Sequence, residues 1–578
     1  MVLFQSHQPD IAIPEDLTIW DWLFENETTS PLHGKDPLHA FIDAETKERL
    51  DWAAVEAKST ALSTCLIEEH GLEPGDAVTL FSGNTIWYPV CAFAVLRAGG
   101  RINGAPAAYT VEEMIYALTV AKTKIVITVP SAVGNVRRAA EAVGLPATKV
   151  LLSHGELDGV VSIQQLMERA TPTSSHEPWR LPEGKTSKDV CGFLNFSSGT
   201  TGLPKAVMLS HYNLIATCYA RRQSYPIDEP FKVLAIVPLY HVTGTWRFML
   251  LPLFMNGDAI MLPSFSMPAM LQATIDFQIE EVVLVPPILL RLVRDPIVDQ
   301  YNLRHVKRWT SGAAPIPQEV LDSVQQKFSW TGFYQAYGAT EAPVMTILPP
   351  EHYDWKRGAS AGMLCANTTA KIVDEAGNVL GPNEVGELLV KGPQVAMGYL
   401  DNDVATAESF DCDGFYHTGD AGYMDPEGFL YITDRIKEMI KVKGHQVPPA
   451  ELESLLMSHE FVADCAVVGI KDEYAGELPK AFVVLEAGID VKRETELVLM
   501  EFMKMKKVRY KWLAAVEFVE KIPKSLSGKI LRRVLREMEK RREAGRPVET
   551  RRESIQFEGK EVSVSSSWGR KGGLHQND

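Results

Sequence analysis

The chain has 578 residues, 46% hydrophobic and 23% charged, ordinary proportions for a globular protein of several domain-sized units of about 150 residues each. Lys plus Arg number 58 against 74 Asp plus Glu, a formal net charge of −16. That balance argues against bulk binding to nucleic acid or an anionic membrane, because phosphate backbones need a positive footprint, so any anionic ligand must be held by local donors.

The first residues carry no basic flank and no long apolar run, so no secretory signal is expected. Residues 77–81 (AVTLF) read as a buried strand, and residues 86–98 as a helix ended by Gly99-Gly100. Thr110 and Glu113 form a Thr-x-x-Glu capping box opening a further helix, and residues 124–129 (KIVITV) give the next strand, stopped by Pro130. Strand–helix–strand alternation implies parallel βαβ units, hence an α/β fold whose large N-terminal domain, residues 1–433, holds βαβ sheet subdomains.

The most apolar long stretch, residues 233–254, contains Pro238, His241, Gly244 and Arg247, which predicts buried core rather than a membrane span. Arg247 there must be paired or exposed, since unpaired burial of a guanidinium is costly; a structural ion pair is favoured over recognition of a second polar group on a ligand. Near Thr433 the composition turns basic (DRIKEMIKVKG). A helix over 450–457, strands over 462–470, 480–486 and 515–519, and a basic helix from Ile530 then suggest a small α+β domain spanning 434–544. Residues 545–578 carry few apolar side chains, and disorder is expected there. The seven cysteines (65, 91, 191, 218, 365, 412 and 465) form no Cys-x-x-Cys pair, which fits reduced thiols rather than disulfides or a zinc site. The final LHQND is not an SKL-type address, which favours the cytoplasm over the peroxisome.

The strongest chemical signal is Ser197-Ser198-Gly199-Thr200-Thr201-Gly202-Leu203-Pro204-Lys205, directly after the apolar run 190–196. Its glycines let backbone approach a phosphate, consecutive amides can form an anion-binding nest, hydroxyls add donors, and Lys205 adds a full charge. GxxxxGK[ST] is absent, so it is not a Walker A loop. A flexible Ser/Thr/Gly linker is the bland alternative, but such linkers rarely run into Leu-Pro-Lys and another apolar stretch.

This loop resembles the phosphate signature of the adenylate-forming superfamily, which includes acyl- and aryl-CoA synthetases, nonribosomal adenylation domains and firefly-type luciferases. Further segments are similar in the family's order. Pro238-Leu239-Tyr240-His241 resembles the aromatic gate, Ser311-Gly312-Ala313-Ala314-Pro315 the adenine turn, and Gln335-Ala336-Tyr337-Gly338-Ala339-Thr340-Glu341 the QGYGMTE element. Thr418-Gly419-Asp420 resembles the ribose-binding TGD, Asp434-Arg435-Ile436-Lys437 the hinge, Lys441-Val442-Lys443-Gly444 the segment that follows it, and Pro523–Lys529 the C-terminal catalytic-lysine loop. The motifs run from 197 to 529, with looser similarity from about 20 to 540, and the pattern is most similar to the 4-coumarate:CoA ligase-like group. Ala336 and Ala339 stand where the family usually has Gly and Met, which touches substrate identity and not reaction type.

The resemblance implies an ATP-dependent acid:CoA ligase using ATP, CoA and Mg2+. A carboxylic acid is joined to AMP with loss of pyrophosphate, then transferred to the CoA thiol. Lys529 would bridge the carboxylate and the α-phosphate, and Thr340 would bind the same phosphate. Glu341 would hold Mg2+, which needs only one or two carboxylates beside phosphate oxygens; the structural alternative, that it caps a helix starting at Ala342, does not exclude that role. Asp420 would accept the ribose hydroxyls with Arg435 in support, or the two form a structural salt bridge. Gly312, Ala313, Ala314, Gln335, Tyr337 and Gly338 would complete the nucleotide site with Lys437 and Lys441. His241 would gate the pocket or orient the carboxylate, unless it is a satisfied core histidine. Lys443 and Gly444 would line the CoA path, or form a basic turn between strands. The alternatives are another acceptor, a carrier-protein pantetheine or oxygen, and a silent adenylate-binding scaffold. No carrier domain is visible after residue 545, and Thr200, Glu341, Asp420, Arg435 and Lys529 are all present. Pocket walls drawn from 241–250, 284–290, 311–314 and 335–346 predict an apolar acyl or aryl group.

Overall fold

The computed structural model describes residues 3–543 except 31, 33–38, 170–175, 198–203, 226–230, 313, 315, 317, 354, 444, 473 and 525–529. Ser198, Gly199, Thr200, Thr201, Gly202, Ala313, Gly444 and Lys529, together with the C-terminal tail, therefore lie outside the described residues.

Ala77–Phe81, buried at every position, lies near the middle of a seven-stranded sheet. Parallel neighbours Arg101–Ala105, Thr123–Thr128, Val150–Leu152 and Cys191–Ser197 surround it, as the βαβ reading predicts. Two antiparallel strands, Lys205–Ser210 and Gly398–Tyr399, complete one edge. The helix Trp87–Arg97 buries almost every side chain, and the Thr110 capping box is formed in both directions. The main hydrophobic core runs through Trp22, Phe41, Trp52, Phe93 and Phe248, all fully buried.

Three parallel strands, Glu281–Leu284, Arg308–Ser311 and Gly332–Gln335, form a second unit. Residues 233–254 are core and not a membrane span: a strand (Lys232–Ala235), then a π-helix (Gly244–Leu250) and a short α-helix, nearly all buried. Among the described residues no helix is long and apolar enough to cross a membrane. An antiparallel sheet ends with Tyr416–Met424 and Leu430–Arg435. After the 3-10 turn Ile436–Glu438, the chain enters a last sheet of Ile440–Val442, His445–Val447, Val462–Asp472, Gly476–Leu485 and Ala515–Phe518. That sheet has a core of its own around Leu452, Val467 and Leu499.

Candidate active site

Ser197 and Lys205 pair across the antiparallel strands, so the two ends of the phosphate-loop segment are held side by side on one sheet. Among the described residues the buried Ser197 hydroxyl has no hydrogen-bond partner, and neither does that of Ser311. An orphaned buried hydroxyl is costly unless a ligand meets it. Tyr116 donates to the Pro204 carbonyl at 2.7 Å and anchors the end of the loop.

Thr340 and Glu341 are the two residues of a hairpin turn, because Ala339 pairs with Ala342. The helix-capping alternative for Glu341 fails: Ala342–Ile347 is a fully buried strand, as suits its β-branched content. Gly338 is obligatory in this hairpin, since a Cβ there would stand 2.2 Å from the Pro343 carbonyl. The Glu341 carboxylate is buried and accepts the Tyr399 hydroxyl at 2.8 Å. The Tyr399 ring carries the Lys205 ammonium 4.6 Å from its centroid. Lys205 and Glu341 are thus joined through a residue that no motif marks.

Asp420 and Arg435, the expected ribose-binding pair, sit opposite each other in adjacent strands. Arg435 Nε lies 3.1 Å from one Asp420 oxygen, and Tyr337 donates to the other at 2.6 Å. Burial, with Asp420 next, pushes the Tyr337 phenol well up, so it stays a neutral donor. The salt bridge named as the structural alternative is present. It leaves room for the ribose role, because a carboxylate offers about four lone-pair positions.

Leu284, Ser311 and Gln335 end their parallel strands in register, the position at which open α/β sheets receive ligands. Gly312 and Ala314 follow directly. Gln335 donates its amide to the Gly358 carbonyl at 2.8 Å and so braces the neighbouring loop. His241 opens the π-helical wall; burial lowers its imidazole to about 4, so it is neutral at pH 7. Asn195 donates to the Tyr240 carbonyl at 3.0 Å, tying the strand before the phosphate loop to this gate.

Arg247 is a structural ion-pair member, as favoured from sequence. Buried Glu281 meets Arg221 at 2.9 Å, Arg308 Nε at 3.1 Å, Arg247 and the Tyr334 hydroxyl at 2.8 Å. Burial alone would raise this carboxyl, but the guanidiniums of Arg221, Arg247 and Arg308 outweigh it and hold it far below the usual range.

In the C-terminal sheet, exposed Lys437 lies in the 3-10 turn, and exposed Lys441 donates its backbone N–H to Glu477 at 2.8 Å. Lys443 occupies the turn between Ile440–Val442 and His445–Val447, with φ +49° and its ammonium 4.0 Å over the Tyr474 ring. The basic-turn alternative describes that placement. No hydrogen bond or ion pair among the described residues joins these lysines to Glu341 or Asp420.

The Tyr337–Asp420–Arg435 group, the Lys205–Tyr399–Glu341 assembly and the in-register ends of three parallel strands lie within a mixed α/β fold. A family profile described as "AMP-binding enzyme" matches residues 34–400, and "AMP-binding enzyme C-terminal domain" matches 451–529. The chain is 34% identical over 547 residues to 4-coumarate–CoA ligase 2 of Nicotiana tabacum, covering 93% of this chain and 97% of the relative. It is 34% identical over 504 residues to peroxisomal OPC-8:0-CoA ligase 1 of Arabidopsis thaliana, covering 86% and 90%. The crystal structure of ATP-bound MatB from Rhodopseudomonas palustris superposes with a TM-score of 0.79 at 26% identity, over 90% of this chain and 98% of that one. The chain belongs to the AMP-binding enzyme family.

Proposed function

We propose that the protein is an ATP-dependent acid:CoA ligase that adenylates an apolar aryl or acyl carboxylic acid and passes the acyl group to CoA. The observation that carries this reading is the Lys205–Tyr399–Glu341 assembly at the phosphate loop, beside the Tyr337–Asp420–Arg435 group. In the first step a substrate carboxylate oxygen attacks the α-phosphorus of ATP. The bond to the bridging oxygen breaks, and pyrophosphate leaves with the electron pair. Charge gathers on phosphoryl oxygens, so fixed cations and donors dominate the rate. Lys205, Thr340 and Lys529 meet that charge, and Asp420 and Arg435 hold the ribose. The uncharged His241 can donate one N–H to the substrate carboxylate without forming a competing ion pair.

Glu341 fits Mg2+, because Tyr399 engages only one of its oxygens and no second carboxylate is required. Mg2+ bound there would neutralise phosphate charge.

In the second step the CoA sulfur attacks the acyl carbon, the bond to AMP breaks, and the thiol proton is released. Residues 1–433 and 434–544 act as two domains, with Lys437 in the connecting turn as hinge. Exchange of Lys529 for the Lys441–Lys443–Gly444 face lets one site serve both steps. Trp246, Met249, Leu289 and Val344, all apolar and buried, suit an apolar acyl or aryl group. A cytoplasmic rather than peroxisomal location belongs to the same reading and is tested by cell fractionation. The activity is tested by pyrophosphate release over aryl, medium-chain and long-chain acids, with CoA then added. Acid-dependent release followed by CoA-dependent thioester supports the ligase. Release without thioester moves the acceptor elsewhere, and no release with any acid overturns adenylation.

A further inference from the structure

Tyr399 belongs to none of the segments that carry the family resemblance, yet its side chain touches both groups that face the phosphates. It is 5% exposed and lies on a two-residue strand fixed to the sheet edge by pairing with Val207. The Leu400 N–H donates to the Ala206 carbonyl at 2.9 Å, and the Ala396 N–H to the Glu341 carbonyl at 2.8 Å. The backbone around Tyr399 is therefore bonded both to the strand that starts at Lys205 and to the turn that holds Glu341. The Phe410 ring backs the phenol edge-on, 6.0 Å between centroids. A phenol facing a carboxylate can only donate, which fixes one Glu341 oxygen and sets the direction of the other. The ring face meanwhile attracts the Lys205 ammonium through its quadrupole and restrains a long, flexible side chain.

We propose that Tyr399 is a positioning residue that holds Lys205 and Glu341 in mutual register, so that the lysine and a Glu341-bound Mg2+ meet the same polyphosphate. This rests on the ligase reading. It assigns the two halves of the side chain separate tasks, the hydroxyl for the metal carboxylate and the ring for the lysine.

Two variants of the full chain separate those tasks. Tyr399→Phe keeps the ring and removes the hydroxyl; Tyr399→Leu removes both. Calorimetric binding of α,β-methylene-ATP and of AMP, each with and without Mg2+, gives a readout independent of turnover. In Tyr399→Phe the Mg2+-dependent gain in analogue affinity should fall about tenfold, the scale of one hydrogen bond to a charged group. Its metal-free analogue affinity and its AMP affinity should hold. Tyr399→Leu should also weaken metal-free analogue binding several-fold. An unchanged Mg2+ gain in Tyr399→Phe, or AMP affinity falling as far as that of the analogue, overturns the proposal even if Tyr399→Leu does not fold. Wild-type protein without acid-dependent pyrophosphate exchange would overturn the ligase reading instead, and the binding arm would still decide on Tyr399.

Discussion

In the N-terminal region, Glu341, Asp420 and Glu281 are buried and each already holds a partner. In the C-terminal sheet, Lys437, Lys441 and Lys443 are exposed, and the Lys443 ammonium rests on an exposed tyrosine ring. Breaking a buried charged pair costs about 3–5 kcal/mol, while an exposed one is worth about 0–1 kcal/mol. The first set is therefore fixed and preorganised, and the second can change partner at little cost. A site that must perform two steps needs both kinds of charge.

The comparison breaks most sharply at Glu281. Glu281→Ala leaves Arg221, Arg247 and Arg308 buried without their shared carboxylate, and denaturant unfolding should show a loss of about 3–5 kcal/mol. Next is Asp420→Ala, which removes the acceptor of Tyr337 and Arg435 and the proposed ribose contact. Steady-state kinetics should show kcat/KM for ATP falling about 100-fold, with the KM for the acid little changed.

A pH measurement sharpens the contrast between buried and exposed groups. Burial lowers the His211 imidazole to about 4, and its Nδ1 accepts the Ile19 N–H at 3.0 Å. The unfolded histidine titrates at about 6.5, so between pH 6.5 and 4 the unfolded chain binds a proton that the folded chain refuses. The stability contribution is complete above pH 6.5 and is lost as pH falls, by about 2 kcal/mol at pH 5. His211→Asn, which keeps an acceptor for Ile19, should shrink the difference in unfolding free energy between pH 7.5 and pH 5 by that amount.

The smallest effect is expected at Arg294, which ends the helix Pro286–Arg294 and bonds to residues of the C-terminal sheet domain. Arg294 donates to the Val462 and Met457 carbonyls at 2.7 and 2.6 Å and meets Glu486 at 2.9 Å. Arg294→Ala should speed limited proteolysis between residues 435 and 444 several-fold, with the main unfolding midpoint unchanged.

These differences also explain what is legible in the sequence. The 77–81 strand and the Thr110 cap are local signals, a β-branched run and a fixed i, i+3 pair, and both form as read. Arg247 is half legible: burial cost demands a partner, but only the meeting of strands brings Glu281 to it. A helix after Glu341 is readable from the acid's position alone, and pairing with Tyr337–Ala339 overrides it. Tyr399 and Tyr116 carry no local pattern, since each acts on a segment that is distant in the chain. Their roles arise from sheet order, which periodicity does not encode.

The central proposal is that one site runs two steps by exchanging Lys529 for the Lys441–Lys443–Gly444 face. Lys529→Ala tests it most directly, with acid-dependent pyrophosphate exchange and thioester formation from a supplied acyl-adenylate measured on the same protein. The account predicts that exchange falls about 100-fold or more while thioester formation persists. Equal loss of both would contradict it.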